Sequence, residues 1–169
     1  MAEDVRNLPR AAPAPVPDTA GNTEPNHTKP NAVLSICLRC RDGRENDYDG
    51  VRGGARLAEA VLQAGAASSG LAVRGVHCLS QCKRAAVIAV SGDNRFTYFF
   101  GDLDPARDAS AVIALAKLYA DSPDGFLERN ARPKPMQAGV LGRLPPLGWR
   151  GGAVETVDLT PHLALENPR

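Results

Sequence analysis

Two close pairs of cysteines, Cys37-x2-Cys40 and Cys78-x3-Cys82, are the residues of this 169-residue chain best suited to chemistry. Thiolates in such pairs bind soft metals or exchange disulfides, and four together can satisfy a tetrahedral metal or an iron–sulfur cluster. Three chemistries compete. Structural zinc takes four thiolates and commonly uses C-x2-C pairs, but its knuckles usually turn on a glycine beside the second cysteine. Here Arg41 follows Cys40 and Lys83 follows Cys82, and the C-x3-C spacing is loose for a knuckle. A C-x-x-C redox dithiol is the second option. Against it, a polar loop of roughly ten residues separates Cys40 from the next predicted helix, which puts the thiols beyond first-turn reach of that helix dipole. The third is a 2Fe–2S cluster with two cysteines on each iron, an anion of about −2 when oxidised that calls for nearby positive charge and N–H groups. Arg39, Arg41 and Arg44 flank the first pair, and Lys83 and Arg84 the second. Their crowding beside both pairs favours the anionic centre, with zinc and mononuclear iron left open.

Short strands must position these loops. Ala32 to Ile36 is an apolar, partly β-branched run and predicts a strand ending at the first pair. From Gly54, the residues Ala58, Val61, Leu62 and Gly65 repeat at the spacing of one helix face. Leu71 to Val76 predicts a second strand, which leads directly to the second pair. Ala86 to Val90 and Arg95 to Phe100 predict a third and fourth, joined by the turn signal Ser91-Gly92-Asp93-Asn94. Asp104-Pro105 reads as an N-cap followed by a first helical residue. Ala109, Val112, Ile113, Ala116 and Tyr119 then form a helical stripe that stops at Asp121-Ser122-Pro123. This β-α-β-β-β-α order predicts an α/β, thioredoxin-like domain. Its first two strands would run parallel, so both cysteine pairs would leave the same end of the sheet.

Composition bounds the rest. Twenty Lys plus Arg against nineteen Asp plus Glu leave a formal charge of +1, which gives no electrostatic reason to expect a nucleic-acid partner. Of fourteen prolines, twelve fall within residues 1–30 or 130–169. The chain therefore divides into a disordered N-terminal arm (1–30), a folding domain (31–129) and a proline-rich extended tail (130–169) that could dock on the domain through Val140, Leu141, Leu144, Leu147 and Trp149. No apolar run approaches a membrane span, and the acidic start MAEDVRNLPR lacks the features of a signal peptide. A cytoplasmic location is expected, where clustered cysteines serve as ligands or catalytic thiols more often than as disulfides.

Several stretches resemble a bacterial family of unknown function described as predicted metal-binding, ferredoxin-like proteins. They are Cys37-Leu38-Arg39-Cys40-Arg41, Gly54-Ala55-Arg56-Leu57, His77-Cys78-Leu79-Ser80-Gln81-Cys82-Lys83-Arg84, Thr97 to Asp104, and Leu118 to Gly125, with Gly139 to Pro146 beyond them. The likeness runs from about Val33 to Leu147. The Cys78–Cys82 segment and the apolar strand after it also look like the second half of thioredoxin-like 2Fe–2S ferredoxins. This resemblance implies a thioredoxin-like fold and a 2Fe–2S centre on Cys37, Cys40, Cys78 and Cys82. It also implies a contextual link to cobalamin or cobalt handling, of which these residues show nothing. The first two cysteines stand closer together than in typical thioredoxin-like ferredoxins, so zinc, the alternative cofactor, and mononuclear iron stay open. Thioredoxin-like oxidoreductases share a cis-proline facing their dithiol, and no proline lies between Asn31 and Asp104 here.

Other candidates have plainer readings. His77 beside Cys78 could replace a cysteine on one iron, but four thiols suffice. His27 and His162 lie in the predicted arm and tail. Turn chemistry explains Asp102 and capping explains Asp104. Tyr98, Phe99 and Phe100 suit packing as well as an electron path. The glycines of Gly50-Val51-Arg52-Gly53-Gly54 could place an anion at a helix start, yet the nucleotide fingerprint is missing. No nucleophile–base pair stands out. The expected function is a 2Fe–2S, one-electron carrier to a redox partner protein rather than an independent enzyme. A zinc-stabilised partner-binding module and a metal-handling protein are the alternatives.

Overall fold

The computed structural model describes residues 32–66, 71–152 and 154–157. The predicted arm at 1–30, including His27, and His162 of the tail lie outside them. A five-stranded mixed sheet carries the fold, in the order β2-β1-β3-β4-β5. Its strands are β1 (Val33–Cys37), β2 (Ala72–Val76), β3 (Ala86–Ser91), β4 (Thr97–Leu103) and β5 (Val140–Leu144). β1 and β2 are parallel and every other pairing is antiparallel. Three helices accompany the sheet, α1 (Gly53–Gln63), α2 (Ala109–Asp121) and the short α3 (Lys134–Ala138).

Alternation along the strands decides which residues meet the helices. Leu34, Ile36, Ile88, Val90, Tyr98 and Phe100 point into one core with Leu57 and Val61 of α1 and Val112, Leu115, Ala116 and Tyr119 of α2. α1 lies against β1 and β3 and touches α2. The α2 stripe matches its periodicity, but that of α1 is rotated from the expected face. Leu57 and Val61 are fully buried, while Leu62 is 52% exposed. The reason is Gly54, whose side of the helix lies closest to the strands and so brings the i+3 and i+7 positions inward.

Past residue 130 the sequence suggests an extended tail that could dock on the domain, and there the chain forms β5, which pairs with β4 through Tyr98↔Arg143 and Phe99↔Gly142. Trp149 then folds back against Phe96, edge to face with ring centroids 4.7 Å apart, and its Nε1–H donates to the Val154 carbonyl. An aromatic anchor of this kind holds a glycine- and proline-rich segment that has no ladder of its own.

The buried Tyr98 hydroxyl accepts the Leu127 backbone N–H at 2.9 Å. Tyr98→Phe leaves that N–H without its acceptor, and an orphaned buried donor costs ~1–3 kcal/mol. Chemical denaturation of the two proteins should show a loss of that size with unchanged m-value.

Candidate metal centre

β1 ends on Cys37, which registers beside Val76, the last residue of the parallel β2. The ladder continues one residue further, Leu38 N–H donating to the Val76 carbonyl at 2.8 Å. Cys37 and Cys40 therefore leave the same end of the sheet as Cys78 and Cys82. Alternation turns Cys37 away from the Leu34–Ile36 core. It packs with Cys40 and Val87 in a small second cluster, against which Leu79 and Leu141 lean. Cys37 and Cys40 are 2% and 1% exposed, whereas Cys78 and Cys82 are open to solvent, and all four are free thiols.

The electrostatics differ between the pairs. Burial, followed by the adjacent Cys37 thiol, pushes Cys40 up to about 12, and Cys82 adds to the effect from the other loop. Cys78 lies below the ordinary thiol range, chiefly because the Ser80 backbone N–H donates to its sulfur at 3.2 Å, with Cys82 and the Arg39 charge assisting. Ser80 aims that N–H by taking a left-handed backbone, φ 58°. Among the described residues no three His, Cys, Asp or Glu side chains are gathered as a ready metal-holding group. The arrangement is two dithiols at one rim. Its donor set of four thiols, with an N–H directed at sulfur, fits the soft-ligand chemistry of iron–sulfur or zinc.

The helix that follows the first pair reaches it in space despite the loop between them. Gly54 N–H donates to the Cys40 carbonyl at 3.0 Å, so the start of α1 lies under the Cys37–Cys40 turn. A helix N-terminus can lower a thiol pKa, but here it serves a carbonyl while burial raises Cys40. The polar loop is held by Asp42. Burial opposes its ionisation, yet Arg56 and Arg44 keep its carboxyl below the usual range. Arg56 meets it at 2.6 Å and Arg44 at 3.1 Å, and Arg56 also lies 3.7 Å from the centroid of the Tyr48 ring. Sequence reasoning passes over Asp42, Arg56 and the support role of Gly53-Gly54. A double glycine at a helix start soon after a C-x-x-C pair was the available signal.

The five flanking cations do not act alike. Arg44 bridges Asp42 and Asp104, and Arg84 is paired with Asp102. Arg39, Arg41 and Lys83 stand exposed. Asp104 does not cap α2: that helix begins at Ala109 with Asp108 in the cap position. Asp104 instead accepts from Arg44 at 2.8 Å and from the Ala106 N–H in a local turn. Pro105 lies in that turn and is not the first helical residue, because α2 begins only at Ala109. Asp102 is not in a connecting turn as expected: it lies within β4 at a left-handed φ of 59°, where the β3–β4 register shifts by one residue and its backbone N–H donates to the Arg84 carbonyl at 2.6 Å. Tyr98 and Phe100 stack within the core and Phe99 is half-buried, while His77 is exposed.

Arg44, the Ala106 N–H and Arg107 hold Asp104 down to about 2 from 3.8, against the effect of burial. A depressed carboxyl stabilises the fold above its ordinary value and loses that contribution as pH falls from 3.8 towards 2. Asp104→Asn should cost ~1 kcal/mol at neutral pH, allowing for solvent around Arg44. The difference from wild type should shrink across that acid window, measured by denaturation at each pH.

A family model described as Protein of unknown function (DUF1636) matches residues 34–146. No curated protein and no solved structure matches. No helix among the described residues is long and apolar enough to cross a membrane.

Proposed function

Since the chain belongs to the DUF1636 family of proteins of unknown function, its chemistry rests on its own residues, and we propose that it is a thioredoxin-like, 2Fe–2S one-electron carrier. The observation that carries the reading is the parallel pairing of β1 with β2, from whose shared end both cysteine pairs emerge. The strand order β2-β1-β3-β4, with β3 antiparallel to both neighbours, supports the thioredoxin-like assignment.

Cys37, Cys40, Cys78 and Cys82 would hold the cluster, which when bound supplies reversible one-electron chemistry. The chain shapes that centre in three ways. Cys37 and Cys40 are kept from water by Val87, Leu79 and Leu141. The Ser80 N–H offsets charge on the Cys78 sulfur. Gly54 and Asp42 fix the first loop to α1 and to Arg56. Lower polarity and hydrogen bonds to sulfur are the levers by which a protein sets a cluster's potential.

Anaerobic purification followed by visible absorption and by iron, sulfide and zinc analysis tests this. The expected result is red-brown protein with about two irons and two sulfides per chain, reduced reversibly by one electron. A colourless protein with one tightly held zinc would overturn it in favour of a structural site. A weakly held, exchangeable metal would overturn it in favour of metal handling.

A further inference from the structure

The candidate centre is open on one side only. Cys37 and Cys40 are buried, so a partner exchanging electrons with these thiolates must approach over Cys78 and Cys82. Charge on that approach is one-sided. Residues 37–41 and 77–85 include Arg39, Arg41, Lys83 and Arg84 and not one carboxylate. Asp42, the carboxylate next to the first loop, is committed to Arg56 and Arg44, and Asp102 is committed to Arg84. None of the ion pairs among the described residues takes up Arg39, Arg41 or Lys83, and the Arg39 charge is felt at Cys78. With a formal charge of +1 for the whole chain, this is a local surplus, balanced by acidic residues such as the exposed Asp47, Asp49 and Glu59.

We propose that Arg39, Arg41 and Lys83, around the open Cys78–Cys82 edge, form the docking surface for an acidic face of a protein partner. The proposal rests on the reading of the four cysteines as an exchange centre. Complementary charge steers encounter and sets register, and it does so most effectively where the exchanging group is exposed. A nucleic acid fits less well. Neither cysteine loop carries a Phe, Tyr or Trp for base stacking, and exposed carboxylates on the segment between the loops repel an extended polyanion.

Fluorescence anisotropy of a labelled octaglutamate peptide, titrated at low salt with the full-length protein as purified, tests the surface. The triple variant Arg39→Gln/Arg41→Gln/Lys83→Gln is compared with a control, Lys117→Gln/Arg129→Gln/Lys134→Gln, whose cations lie outside both cysteine loops. The expected result is at least about tenfold weaker binding for the rim variant and less than about twofold for the control, with both losses vanishing at high salt. Absence of peptide binding, equal losses in the two variants, or binding of an eight-phosphate oligonucleotide about tenfold tighter than the peptide would overturn it. Iron, sulfide and zinc content of the same preparation reports separately on the cluster. A colourless protein whose rim still binds the peptide would sink the cluster reading and leave the docking surface standing.

Discussion

Gly54→Ala is expected to remove the centre and much of the fold's stability together. A Cβ built on Gly54 meets the Cys37 carbonyl well inside van der Waals contact, 3.0 Å from its carbon, and comes within 3.2 Å of the Cys40 backbone N. Both obstacles are backbone. Cys37 is the last residue of a strand paired on both sides of the sheet, so it cannot retreat without breaking β1, and Gly54 is in the first turn of α1. Overpacking a well-filled core costs ~1–3 kcal/mol when side chains can shift, and a clash with paired backbone belongs at or beyond the upper end. The gain in helix propensity from replacing glycine, of order 1 kcal/mol, does not offset this. Thermal unfolding and metal content, measured together, should both fall. An unchanged midpoint would show that α1 can slide away from the cysteine turn, and would refute the assignment of Gly54 as the support of that turn.

The four cysteines should separate into two classes when each is replaced by serine. On the proposed four-thiolate reading, all four variants are expected to lose the metal, because the loss of one thiolate from such a set opens it. In the metal-free state they should differ. Cys78 and Cys82 are exposed, so their replacement should change metal-free stability by less than ~0.5 kcal/mol. Cys40 is 1% exposed in an apolar cluster with Val87, and a hydroxyl there costs ~1–3 kcal/mol unless it finds a partner. Denaturant titrations of the metal-free proteins, set beside metal analysis, separate ligand loss from packing loss. Metal retained by Cys78→Ser or Cys82→Ser would refute the four-thiolate centre. Equal metal-free losses in Cys40→Ser and Cys82→Ser would contradict the division into a buried and an open pair.

Much of the architecture was legible because it depends on local patterns. Val33 to Cys37 and Ala86 to Ser91 are β-prone runs, and the hairpin turn before β4 has Asn94 at φ 51°, a backbone that asparagine tolerates well. The stripe on α2 could be read because Val112, Ile113, Ala116 and Tyr119 keep helical spacing. The misreadings share a physical cause. Asp104 has the sequence of a cap, but an arginine 60 residues away competes for its carboxylate. β5 is invisible to alternation because two of its five residues, Gly142 and Arg143, are not apolar, and its place is set by the free edge of β4. The phase of α1 depends on where a glycine can approach a strand, which no window of sequence contains.

Spacing alone determined that this protein has two cysteine pairs, each at the end of a short strand, on an α/β chain with mixed strand pairings. These features rest on interactions between residues near in sequence, where side-chain periodicity and turn chemistry decide the outcome. The tertiary structure alone decided that one pair is buried and the other open, and that α1 returns to support the first pair. It also decided that Arg44 and Arg84 are engaged by carboxylates while Arg39, Arg41 and Lys83 stay exposed. Burial and charge pairing are sums over neighbours drawn from the whole chain, and the folded packing sets those neighbours.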